Sequence, residues 1–209
     1  MTFEYADRAI RDLNKRNLRL FDKLKMLKFD DLNVLSLANT TYDESIRIAK
    51  RRYLMIARQA FIEAMLLLGY GKDKAEKEAE DSITEDWILD MLEDYDPTTL
   101  YQFLSEAERK KQRLVEALAA SHDKWQEVER ALRLWTRQIA SYADRSVIDG
   151  TVGGYKSAGV KMVRWVAVED EKTCSECKKL DGQVFSIDRV PPRPHYHCRC
   201  VLEPVKENE

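Results

Sequence analysis

The chain has 209 residues, 44% of them hydrophobic and 34% charged, with a formal net charge of −2. That length accommodates one large domain or two small ones, and the balance is that of a soluble protein with a real core. Near-neutral charge excludes a general electrostatic pull toward nucleic acid, and no apolar run reaches the roughly 20 residues of a membrane span.

The N-terminus, Met1 to Asp7, is already charged and lacks the apolar centre of a signal peptide, so the expectation is synthesis in the cytoplasm. Only 7 Gly and 5 Pro occur, and all the Pro except Pro97 lie after residue 190. Helix interiors exclude both types, so the first 150 residues read as mainly helical. Charge is uneven along the chain: residues 1–60 are net +5 and residues 61–128 net −9. Solvated helix faces account for such runs more simply than a dedicated basic arm.

In chain order, Phe3, Ala6, Ile10, Leu13, Asn17, Leu20, Leu24 and Leu27 alternate spacings of three and four. This is one stripe of a helix, either packed inside a bundle or paired with a second chain as a homo-oligomer. Leu18 and Phe21 widen the stripe and favour the bundle. Thr41-Tyr42-Asp43-Glu44 has the form of a capping box, so the next helix is expected from about Tyr42 to Leu68, closed by Gly69 and Gly71. Its last turn, Ala64 to Leu68, is apolar all round.

Residues 73–94 predict one or two acidic helices holding Trp87, Ile88, Met91 and Leu92 inward, broken at Asp96-Pro97. Ser105 to Glu108 starts another helix, to about Ala120. A last long helix is expected from about His122 to Val147, and Gly150, Gly153, Gly154 and Gly159 then punctuate the chain. A boundary near Gly150 divides it into a helical region, 1–150, and a small module, 151–209.

In that module Lys161 to Val168 is rich in β-branched and aromatic residues and reads as a strand. Val184 to Ile187, after the Asp181-Gly182 turn, is a second strand. Cys200 to Glu203 is a third, stopped by Pro204. The fold class expected is therefore α+β, mainly α: a long helical region followed by a small β-rich module.

All 4 Cys fall in that module. Cys174-Ser175-Glu176-Cys177 is a C-x-x-C pair. After 17 residues comes His195-Tyr196-His197-Cys198-Arg199-Cys200. A C-x-x-C turn brings two thiolates to one point, and the second cluster offers further donors. Cys174 and Cys177 are the firmest ligands of a Zn²⁺ ion. Two more come from His195, Cys198 and Cys200, with His197 the weakest candidate. Four ligands close a tetrahedral shell, so the zinc is expected to be structural, a staple for a tail with few core residues. Clustered Cys in a chain without a secretory signal read as metal ligands before disulfides. No phosphate-binding glycine loop, H-E-x-x-H or nucleophile elbow is present, and no enzymatic role is expected. His122 reads as an ordinary surface or cap residue.

The run Arg164-Trp165 through Asp170-Glu171-Lys172-Thr173-Cys174-Ser175-Glu176-Cys177, with Leu180-Asp181-Gly182 and Pro192 to Cys200, resembles the phage Mu protein F-like minor head proteins. Their pattern is a Trp, then Asp-x-x-Thr-Cys-x-x-Cys, Leu-x-Gly and Pro-x-His-Pro-Asn-Cys-Arg-Cys. The resemblance covers about residues 125–205, and Asp96-Pro97-Thr98-Thr99 through Lys111 also looks like segments of such proteins. Tyr196-His197 stands here where the family has Pro-Asn, adding a second His donor.

The resemblance implies a minor capsid protein acting in head morphogenesis, bound to portal or capsid proteins, placed in the virion at the portal vertex or capsid interior. Two other readings compete. One is a DNA-binding zinc module, with Lys178, Lys179, Arg189, Arg193 and Arg199 toward phosphate and Tyr196 stacking on bases. The other is a metal-dependent hydrolase using Glu169 or Glu176.

Overall fold

The computed structural model describes residues 32–84, 145–191, 193–194 and 198–205, with Arg8, Arg11, Asp12, Lys15, Arg19, Asp22, Met26, Arg109, Gln112 and Glu116. Arg8, Arg11, Asp12, Lys15, Arg19 and Asp22 are helical and exposed, and none belongs to the heptad stripe. The stripe itself, the Ser105 start and Trp87 to Leu92 lie outside the described residues.

Helix α1 spans Leu32–Leu67, 36 residues. It starts ten residues before the expected Tyr42, so the Thr41–Glu44 capping pattern lies in its interior. Leu32 to Ala38 is rich in Leu, a strong helix former, and a Thr-x-x-Glu pattern caps only where the preceding chain is not already helical.

The end of α1 is where Gly69 was expected to close it. Gly69 has φ +86°, its N–H donates to Leu66 O at 3.0 Å, and the Tyr70 N–H donates to Met65 O at 3.2 Å. This is a Schellman closure, which needs a left-handed residue and therefore a glycine.

Helix α2, Lys72–Ser82, folds back on α1. It is the first part of the stretch expected to form one or two helices over 73–94; residues 85–94 lie outside the described residues. Its buried residues are only Ala75 and Ala79, which let it lie close against Ala57, Phe61 and Met65. Arg58 Nε donates to Ile83 O at 2.8 Å, placing a cation on the C-terminal carbonyls of α2.

A third helix, α3, occupies residues 145–157 in the described structure. It passes straight through Gly150, Gly153 and Gly154, where the sequence suggested a break. The reason is contact with α1. A Cβ on Gly150 would lie 2.8 Å from the Ala57 carbonyl carbon, and one on Gly154 would lie 2.5 Å from Phe61 O and 2.9 Å from the Ala64 Cβ. These glycines remove side-chain bulk at a helix crossing. Gly159, at φ +81°, is the true terminator: its N–H bonds Lys156 O at 2.9 Å and the Val160 N–H bonds Tyr155 O at 3.0 Å.

Strand β1, Met162–Val166, is central in a three-stranded antiparallel sheet between β2, Val184–Ser186, and β3, Val201–Pro204. A helix α4, Ser175–Leu180, lies between β1 and β2, and a 3₁₀ turn, Ile187–Arg189, follows β2. Pro204 was expected to stop β3 but is its last residue, opposite Val163. An edge strand needs ladder donors on one side only, and the pairing continues with Val205 N–H to Met162 O at 3.0 Å.

Val163 and Trp165 point inward and are fully buried. They share one cluster with Ala64 of α1, Ile148, Val152 and Tyr155 of α3, Leu202 of β3, and Cys177, Cys198 and Cys200. Burying a ring the size of Trp165 removes roughly 200 Å² from water, on the order of 5 kcal/mol of gross stabilisation. The fold is thus mainly helical with a small antiparallel sheet, as the α+β expectation held.

Two outcomes follow from α3. Gly150→Ala and Gly154→Ala should each destabilise the protein by about 1–3 kcal/mol in urea denaturation, because the clash is with backbone. Gly153→Ala, whose Cβ would meet only the Phe61 ring at 3.3 Å, should fall within about 1 kcal/mol of wild type.

Asp149 faces Arg145 at 3.4 Å. Burial pushes its carboxyl up to about 6, against the opposing pull of Arg145 and Arg193. A carboxyl raised in the folded state costs stability as pH climbs through that range. Unfolding free energy should therefore fall between about pH 4 and pH 6 and level off above, and Asp149→Asn should flatten that part of the profile.

Candidate metal centre

The loop from β1 to α4 is built by its own side chains. Asp170 Oδ1 accepts from the Lys172 N–H at 2.9 Å and from Thr173 Oγ1 at 3.2 Å. The Thr173 N–H donates to Asp170 O at 3.1 Å, and Thr173 Oγ1 also reaches Val168 O. This closed Asp-x-x-Thr turn delivers Cys174 to the N-cap of α4. There the Cys174 sulfur accepts from the Cys177 N–H at 3.3 Å, which holds the Cys174 thiol below its usual range. One helical turn later Cys177 points inward and is buried.

The second half-site enters from the other end of the module. Cys198 and Cys200 precede and abut β3, and both are buried. The Cys177 and Cys198 sulfurs are 3.6 Å apart. With Cys200 they form a group whose sulfurs all lie within 4.8 Å of one another.

The Cys177 thiol also interacts with those of Cys200, Cys174 and Cys198. Burial first, and then these contacts, push it well up from its usual value. Burial likewise raises Cys198, although the Cys200 backbone N–H and the Arg193 charge oppose the shift. All four cysteines are free thiols.

Three buried cysteines therefore lie close enough to hold a metal ion. The donor set is soft, and sulfurs about 2.3 Å from a tetrahedral ion stand about 3.8 Å apart, close to the Cys177–Cys198 separation. Of the residues expected from sequence, Cys177, Cys198 and Cys200 are brought together and Cys174 adjoins them. His195, with Tyr196 and His197, lies outside the described residues.

Three residues that sequence reading did not connect to the site tie it together. Arg199 Nη2 bonds Asp170 Oδ1 at 2.5 Å, clamping the second half-site to the loop of the first. This contact holds the Asp170 carboxyl down at about 2. Arg193 donates from Nη1 to Cys198 O and from Nη2 to Cys200 O at 3.2 Å. The sequence offered a hint in the motif itself, since an Arg sits between the two cysteines and an Asp four residues before Cys174. The spacing alone did not say that they meet.

These bonds bear on the other two readings. Arg193, Arg199 and Lys179 were candidates to face phosphate, yet all three are engaged internally, Lys179 with Glu176 at 2.8 Å. Glu176, a candidate acid or base for hydrolysis, is exposed and sits in that surface pair.

Cys177→Ser should abolish stoichiometric cobalt binding, read from the thiolate-to-metal absorption band. Asp170→Asn, which loosens the clamp without touching a thiol, should weaken binding by about 10–100-fold. Because thiols must lose protons to bind, affinity should fall as pH is lowered.

No curated protein and no solved structure matches the chain at a significant level. Residues 109–203 match the family described as Phage Mu protein F like protein. The match contains α3, all three strands except the last residue of β3, and the four cysteines. Through this part the chain is similar to the phage Mu protein F-like family, a likeness that points to phage head morphogenesis.

Proposed function

We propose that this protein is a minor head protein of a bacteriophage, attached to portal or capsid proteins through its helical region and carrying a zinc-stapled module at its C-terminal end. The observation that supports this most is the thiol cluster inside the family-matched segment. In this reading Cys174, Cys177, Cys198 and Cys200 hold Zn²⁺, with His195 the alternative fourth donor. The ion supplies structure: it fixes two chain segments that the short sheet alone holds weakly.

Four protein ligands would close the metal shell, and with Cys177, Cys198 and Cys200 buried this would leave no position for a substrate. The site of action is the virion, at the portal vertex or inside the capsid, with a role in packaging or ejection of DNA. Attachment falls to the helices, including the heptad stripe of residues 3–27, which also offers a route to self-association.

The test is genetic and compositional. Purified heads should contain the protein in few copies, and a phage lacking it should make heads that are misassembled or empty of DNA. Fully infectious particles from the deletion, with the protein missing from wild-type heads, would remove the proposal. Portal protein retained on immobilised full-length chain would support the attachment site.

A further inference from the structure

Between α1, α3 and β3 lies a groove of about 310 Å³, lined by Ala60, Ala64, Val147, Ile148, Tyr155 and Leu202. Arg193 and Cys200 also line it. The groove thus touches the thiol cluster at one end and the α1–α3 crossing at the other.

Three independent contacts run across this space. Cys177, Cys198 and Cys200 belong to the same buried cluster as Ala64, Ile148, Val152 and Tyr155. Tyr155 donates its hydroxyl hydrogen to Leu202 O at 3.0 Å, tying α3 to the strand that starts beside Cys200. Arg193 grips the carbonyls of both Cys198 and Cys200, lines the groove together with Val147 and Ile148 of α3, and acts through its charge on Asp149 of the same helix.

A guanidinium can satisfy two carbonyls only when their spacing is fixed, because its donors form a rigid fork. The spacing of the Cys198 and Cys200 carbonyls is set by where their side chains are held.

From these contacts we propose that metal occupancy and the α1–α3 helix pair are one linked unit, with Arg193 as the positioning residue. A cation in the thiol cluster fixes the Cys198–Cys200 turn. The turn's carbonyls orient Arg193, and Arg193 with Tyr155 holds α3 and β3 at the separation that forms the groove. The metal then governs the helical surface as well as its own module. This rests on the reading of the thiols as a metal site, and it adds that loading is transmitted to residues that touch no ligand.

Hydrogen exchange on the full chain tests it, comparing chelated and zinc-loaded protein and following zinc content and the cobalt thiolate band in parallel. In wild type, zinc should slow exchange at 198–204 and also, by about tenfold or more, at 145–157 and 57–65. In Arg193→Met the metal should still bind and still protect 198–204, while the slowing at 145–157 is largely lost. Arg193→Lys, which keeps the charge but not the fork, should resemble Arg193→Met and serves if that variant does not fold.

Metal bound in wild type with exchange at 145–157 and 57–65 unchanged overturns the linkage alone. Full slowing in both Arg193 variants also overturns the role of Arg193. Failure of wild type to bind zinc or cobalt overturns the metal reading and the linkage together.

Discussion

The structure depends on one constraint: two chain segments, separated by β2 and the 3₁₀ turn, must bring their cysteines to a single buried point. The sheet cannot enforce this alone, since its strands are five, three and four residues long. Short strands of that kind hold together only when a face is covered and the ends are fixed. Here α3 covers the inner face through Tyr155 and Val152. The thiol cluster fixes the end where β3 begins, one residue after Cys200. The register of β3 against β1, Trp165 opposite Leu202, follows from where that strand is started.

The same cluster explains otherwise unrelated polar residues. A buried thiol set collects no hydrogen bonds strong enough to orient its backbone, so the backbone is held from outside. Asp170 and Thr173 shape the approach to Cys174. Arg193 holds the carbonyls beside Cys198 and Cys200, and the Arg199–Asp170 pair joins the two halves. Arg199 and Asp170 are both partly exposed, so their pairing contributes little stability by itself. Its effect is geometric. The outer edge of β3 is covered in the same way, with Leu202 O taken by Tyr155 and Cys200 O by Arg193, leaving less of the edge open to pair with another strand.

What the sequence made legible were features governed by neighbours in the chain. The C-x-x-C turn, the three strands, and the closure at Gly69 each rest on spacing within a few residues. Glycine shows where that logic stops. Gly69 and Gly159 end helices because φ must be positive, which a pattern can suggest. Gly150 and Gly154 sit inside a helix because Ala57, Phe61 and Ala64 approach from about ninety residues away in the chain. No local pattern separates these two uses. The packing of α2 was hidden for a related reason: its buried side is two alanines, too small to mark a hydrophobic face. The Arg193 and Arg199 contacts were equally hidden, since they depend on strand register.

The span of the family match raises a structural question that the core answers. Residues 109–203 contain α3 and the whole thiol cluster, but not α1. Yet α3 presents Gly150, Val152 and Gly154 toward α1 and the sheet, and the crossing is so close that only glycine fits at two positions. A helix with bare backbone on one face exposes both apolar surface and peptide groups unless another helix covers it. Here the cover comes from outside the matched segment. In this chain α1 supplies it, through Ala57, Phe61 and Ala64, and α2 backs α1 from the far side through Ala75 and Ala79. Helices α1 and α2 thus complete the core against which the cysteine module packs.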